Sequence, residues 1–131
     1  MKKKSIVLSA VFIILMGLFF SCTYRRHHHN ISVSISESSD TYRLRAEYDE
    51  NNTWRVQRYI NRQLEPNGLF ASTEDHFDVT TELKDRTRFY IKAEPGSLLI
   101  KINKHENSYE SYMRIKTMCR GIAGVLKEKN D

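Results

Sequence analysis

Four groups of side chains in this sequence could do chemistry. Glu74-Asp75-His76 with Asp78 is its one dense acid/histidine cluster. There His76 would act as general base or metal ligand, oriented by Asp75 or Asp78, in a metal-dependent hydrolysis. Nothing else completes such a site: the chain has no Gly-rich phosphate loop, no Gly-x-Ser-x-Gly and no His-Glu-x-x-His. A polar loop with Asp75 as a turn residue accounts for the cluster better. His27, His28 and His29, with Tyr24 nearby, could ligate zinc or copper through neutral imidazoles. Consecutive histidines do not converge on one ion from an ordered backbone, and the spacing of a structural site is missing. They read as a solvated tether, and no cofactor is expected.

Arg55, Arg58 and Arg62 follow one another at i, i+3 and i+7, with Trp54 one turn from Arg58. On a helix they share the face away from its apolar stripe, and an indole–guanidinium contact is within reach. Forked arginines suit phosphates of lipid heads or lipopolysaccharide, and carboxylates of a partner protein or of peptidoglycan. The ordinary alternative is a solvated helix exterior. Cys119 lies in the middle of an apolar stripe, where free cysteine behaves as a small hydrophobe. Gly121 and Gly124 are expected on the opposite, polar side of that helix.

The elements that must position these residues follow from periodicity. Ile31, Val33 and Ile35 alternate with serines, and Tyr42, Leu44, Ala46 and Tyr48 alternate with Arg43, Arg45 and Glu47, so two strands form a hairpin about Glu37–Asp40. Trp54–Leu64 carries Val56, Tyr59, Ile60, Gln63 and Leu64 on one side, a short amphipathic helix capped by Asn52 or Thr53. Phe77, Val79, Thr81 and Leu83 alternate as a third strand. Thr87–Ala93 and Leu98–Asn103 flank Glu94-Pro95-Gly96-Ser97, whose Pro and Gly suit the two central positions of a type II turn. Asn107 and Glu110 have the spacing of a capping box for a last helix, Ser108–Lys127, striped by Tyr112, Ile115, Cys119, Ile122 and Leu126. The order ββαβββα predicts an α+β two-layer sandwich: a mostly antiparallel sheet of about five strands with two helices on one face.

Ahead of this domain, Lys2–Lys4 precede fifteen uncharged residues, Ile6–Phe20. A helix of that length reaches about 22 Å, short of the ~30 Å hydrocarbon core, so it reads as a cleaved export signal. The segment Phe19-Phe20-Ser21-Cys22, a small residue directly before a cysteine at the end of the apolar run, resembles the lipobox of bacterial lipoproteins. That resemblance covers the first 22 residues and implies that Cys22 becomes the first mature residue, carrying a thioether-linked diacylglyceride and usually a third acyl chain. It implies three segments: a signal at 1–21, a lipidated tether at 22–30 and one domain at 31–131. Thr23 is not the aspartate that in some bacteria keeps lipoproteins at the inner membrane, so a periplasm-facing outer-membrane site is implied where the cell has two membranes.

Residues 1–21 hold three of the 21 basic side chains and none of the 16 acidic ones, so without them the net charge falls from +5 to +2. That balance does not support nucleic-acid binding. With Cys22 acylated, Cys119 is the last thiol and no internal disulfide can form. The sequence alone therefore predicts a small, non-catalytic envelope lipoprotein that binds an envelope protein, a lipid head group or peptidoglycan, with Trp54, Arg55, Arg58 and Arg62 as its surface. The metal-dependent domain built on the Glu74–Asp78 cluster is the alternative.

Overall fold

Strict alternation of apolar and polar residues along three of the strands decides the architecture. A computed structural model of the chain describes residues 31–66 and 68–128. In order it has β1 (Ser32–Glu37), β2 (Thr41–Glu47), a single 3₁₀ turn (Glu50–Asn52), α1 (Thr53–Gln63), β3 (Phe77–Glu82), β4 (Arg88–Glu94), β5 (Ser97–Asn103) and α2 (Tyr109–Lys127). This is the expected ββαβββα order, and each element starts or stops within a residue or so of its sequence reading. The five strands form one antiparallel sheet in the order β1-β2-β5-β4-β3.

Rows of apolar residues run across one face of this sheet. Leu44 stands opposite Ile100, which stands opposite Ile91, and Ala46, Leu98 and Ala93 form the next row. All six are buried, in one cluster with Val56, Ile60 and Leu64 of the first helix segment and Ile115, Met118, Cys119, Ile122 and Leu126 of the last. Each fully buried Leu or Ile contributes on the order of 1.5–3 kcal/mol by leaving water. The buried apolar side chains of the described residues form one cluster, from Tyr42 to Leu126.

The outer strands are less well covered. Val33 is partly buried, but Ile31 and Ile35 are each 44% exposed. The alternation had implied a wholly apolar inner face for β1; as an edge strand, it is only partly covered by the helices.

Local caps differ from the sequence reading in informative ways. Asn52 makes no side-chain cap. The chain instead turns one step earlier, where Asp49 accepts from the Asn51 amide at 3.0 Å. Thr53 is thereby free to accept from the Gly96 amide at 3.0 Å, tying the β4–β5 turn to the start of α1. Gly96 has φ +80°, as the third position of a type II turn requires, and a Cβ there would lie 2.8 Å from the Tyr48 carbonyl. At α2 the cap is Ser108, which accepts from the Ser111 amide at 3.1 Å. Asn107, expected to be the cap, braces the strands instead: its side chain accepts from the Arg88 amide and donates to the Arg88 and Asn103 carbonyls, all within 2.9 Å.

Gly121 does not face solvent as expected. It faces α1, where a Cβ would overlap the Tyr59 hydroxyl, whereas a Cβ on Gly124 would meet nothing. The missing side chain lets the two helices approach. Gly121→Ala should therefore lower stability by about 1–3 kcal/mol through overpacking, and Gly124→Ala should raise it by up to about 1 kcal/mol through helix propensity. Urea unfolding of the two variants checks this pair of opposite signs.

Candidate functional site

Helix α1 turns Val56, Ile60 and Leu64 inward, and its outward side carries Trp54, Arg58 and Arg62. The segment 68–76 folds back along that side. Asn61 holds it there: its amide donates to the Phe70 carbonyl at 2.7 Å, and its carbonyl accepts from the Phe70 amide at 2.9 Å. Phe70 packs edge-on against Phe77 at 5.1 Å between ring centres. Asp75 then closes the loop by accepting from the Ala71 and Ser72 amides, both at 2.8 Å.

The result is a groove of about 550 Å³ with α1 as one wall and Gly68–Thr73 contributing to the other. Trp54 is 51% exposed at one end, with the Arg58 guanidinium 5.8 Å from its ring centre. Arg58 and Arg62 are exposed along it, with Gln57, Asn61 and Glu65 adding polar groups. A flat aromatic ring beside two forked donors can grip a ligand that joins a carboxylate or phosphate to an apolar or sugar-like body.

Of the four residues proposed from sequence, three thus meet at this groove. Arg55 lies elsewhere, with Nη2 3.4 Å from the Glu128 carboxylate near the end of α2. The loop wall and its Asn61 clamp had no sequence signal, because a side chain holding a distant backbone leaves no periodicity.

The acid/histidine cluster is divided. Asp75 is used by its own loop, Asp78 accepts from the Tyr90 hydroxyl at 2.6 Å, and Glu74 is exposed. His76 lies 4.0 Å from Glu94, and it lines a depression of about 190 Å³ with Asp78, Lys92 and Glu94. Among the described residues no three His, Cys, Asp or Glu side chains are grouped to hold a metal ion. Cys119 is buried, and burial pushes its thiol up to about 12, so it is not ionised at neutral pH. Cys22, His27, His28, His29 and the signal and tether segments lie outside the described residues. No helix among the described residues is long and apolar enough to cross a membrane.

One further charged cluster is a brace. Glu37, at the end of β1, accepts from the Tyr112 hydroxyl and pairs with Lys104 at 3.1 Å and Lys116 at 3.2 Å. Both ammonium groups lie over the Tyr112 ring, at 5.0 and 5.5 Å. The Tyr112 bond, with the two lysines, lowers the Glu37 carboxyl from 4.5 to about 2.

No family model, no curated protein and no solved structure matches the chain. What the groove can bind must then follow from its own residues.

A carboxyl depressed by folding adds stability that is complete above its unfolded value and disappears as the pH falls toward its folded one. Wild-type protein should accordingly lose stability between pH 4.5 and about 2 as Glu37 takes up a proton. Glu37→Gln should show a shallower decline across that window in acid titrations followed by circular dichroism.

Proposed function

We propose that the chain is a small lipoprotein of a bacterial envelope, held at a membrane by acyl chains on Cys22, and that its domain is a non-catalytic binding or adaptor module. Two or more acyl chains at about 0.8 kcal/mol per buried CH₂ anchor a protein stably. Eight residues, Thr23–Asn30, separate that anchor from the domain and reach at most about 28 Å when extended. The module therefore works close to the bilayer, facing the periplasm, and at the outer membrane where the cell has one.

The observation that carries the binding role is the groove: Trp54, Arg58 and Arg62 are all exposed, and all line a cleft whose far wall is fixed by paired hydrogen bonds from Asn61. A merely solvated helix face has no such wall. The partner is an anionic envelope component: a carboxylate-bearing protein segment, peptidoglycan or a lipid head group. A metal-dependent hydrolytic role comes second, because the Asp75 carboxylate is used to hold its own loop. It predicts stoichiometric metal in the purified Ile31–Asp131 domain, which elemental analysis would detect.

Two experiments test the first reading. Cells expressing the full chain and fed labelled palmitate should label wild type but not Cys22→Ser, and the variant should leave the membrane fraction; equal labelling would rule out the anchor. In-cell crosslinking followed by mass spectrometry should recover a specific partner with wild type, and Arg58→Ala/Arg62→Ala should lose it while folding normally. A partner recovered equally by both would rule out the groove.

A further inference from the structure

The helices cover one face of the sheet, and no described element packs on the other. Residues of β2, β5 and β4 that alternate with the core point there: Arg43 and Arg45, Leu99 and Lys101, Arg88, Tyr90 and Lys92. In register, Arg43 stands directly opposite Lys101, and Lys101 directly opposite Tyr90; in the next row Arg45, Leu99 and Lys92 stand side by side. Side chains directly opposite on antiparallel strands have Cβ atoms about 4.5–5.5 Å apart, and like charges so placed destabilise a sheet.

Four lysines and arginines elsewhere in the domain are paired. Lys104 and Lys116 share Glu37, Arg114 pairs with Asp85 at 2.6 Å, and Arg55 with Glu128. None of Arg43, Arg45, Arg88, Lys92 and Lys101 has a carboxylate within 4.0 Å among the described residues. Across β3 the register sets Glu82 opposite Arg88 and Asp78 opposite Lys92, so like charges stand directly opposite one another at Arg43 and Lys101.

Three of these cations, Arg43, Arg88 and Lys101, line a single depression of about 470 Å³, together with Tyr90, Leu99 and Asn103. The Tyr90 ring is held by its hydroxyl bond to Asp78 at 2.6 Å. Glu106 also lines the depression, leaving it with a clear positive excess. A carboxylate offers two oxygens to such a set. A phosphate group offers three and carries up to two negative charges, which suits two guanidinium forks and an ammonium. Tyr90 and Leu99 supply an apolar floor for whatever the phosphate is attached to.

We propose that this depression is a binding site for the phosphate group of an organic phosphate ester, separate from the groove along α1. Arg43, Arg88 and Lys101 hold the phosphate, and Tyr90 and Leu99 contact its organic part. Two sources present such a phosphate, a lipid head group and a soluble ester, and the test separates them.

The Ile31–Asp131 domain, a compact unit with one apolar cluster, is titrated with glycerol phosphate by calorimetry and with vesicles of phosphatidic acid in phosphatidylcholine by co-sedimentation. Binding in either arm is expected, falling with added salt, and it should weaken at least about tenfold in Arg43→Gln/Lys101→Gln, since each charge-assisted bond contributes that much or more. Binding to vesicles alone identifies the lipid head group as the source; binding to glycerol phosphate identifies the phosphate group by itself as sufficient. The same variant should unfold at a temperature equal to or above wild type, because the cross-strand repulsion is gone, so lost binding cannot be lost folding. Absence of binding in both arms, or unchanged binding by Arg43→Gln/Lys101→Gln, would overturn the proposal.

Discussion

The pairing of β2 with β5 is the interaction on which the rest of the domain depends. Forty-nine residues separate these strands in the chain, and between them lie α1, β3 and β4. Their register joins a two-stranded hairpin to a three-stranded meander and puts Tyr42, Leu44 and Ala46 in line with Ile102, Ile100 and Leu98. A two-stranded hairpin is marginal in water by itself. Only the joined sheet presents an apolar face wide enough for both helices, and only with both helices docked are those six residues shielded. Closing so long a loop has an entropic cost, which the burial of the shared core must offset.

A one-sided core has a consequence for function. The covered face is committed to packing, so recognition is left to the helix exteriors, the connecting loops and the outer face of the sheet. These surfaces differ in kind. The groove along α1 is a cleft between a helix and a loop, mixing an exposed indole, two arginines and neutral amides. The outer sheet face brings Arg43, Arg88 and Lys101 of three different strands to one depression. The brace at Glu37 shows the opposite strategy: two lysines, one carboxylate and two tyrosine rings satisfy one another and fasten the edge strand to α2. Charge is neutralised where the fold needs stitching and left open where the surface faces water.

Several residues were read correctly as to type but not as to task. Asp75 belongs to a loop, but as the acceptor that closes it rather than as a turn residue alone. Asn107 is spaced to cap α2, yet Ser108 caps it, because Asn107 is better used bridging β4 and β5. Gly121 resembles a helix-end glycine and is in fact the seat of Tyr59. In each case a polar or small residue has a local use and a distant one, and the distant one prevails when it satisfies a backbone group or allows close packing.

The sequence by itself determined the identity and order of every strand and helix described here, the type II turn at Pro95-Gly96, the burial of Cys119 and the outward direction of Trp54, Arg58 and Arg62. These are consequences of short-range periodicity and turn chemistry, which act within a few residues. Strand order, the exposure of Ile35 at the edge, the wall opposite the arginines, the departure of Arg55 toward Glu128 and the meeting of Arg43 with Lys101 were decided only by the tertiary structure. They depend on which distant segments share the core, and that choice rests on the summed burial of many side chains rather than on any pattern a single segment can carry.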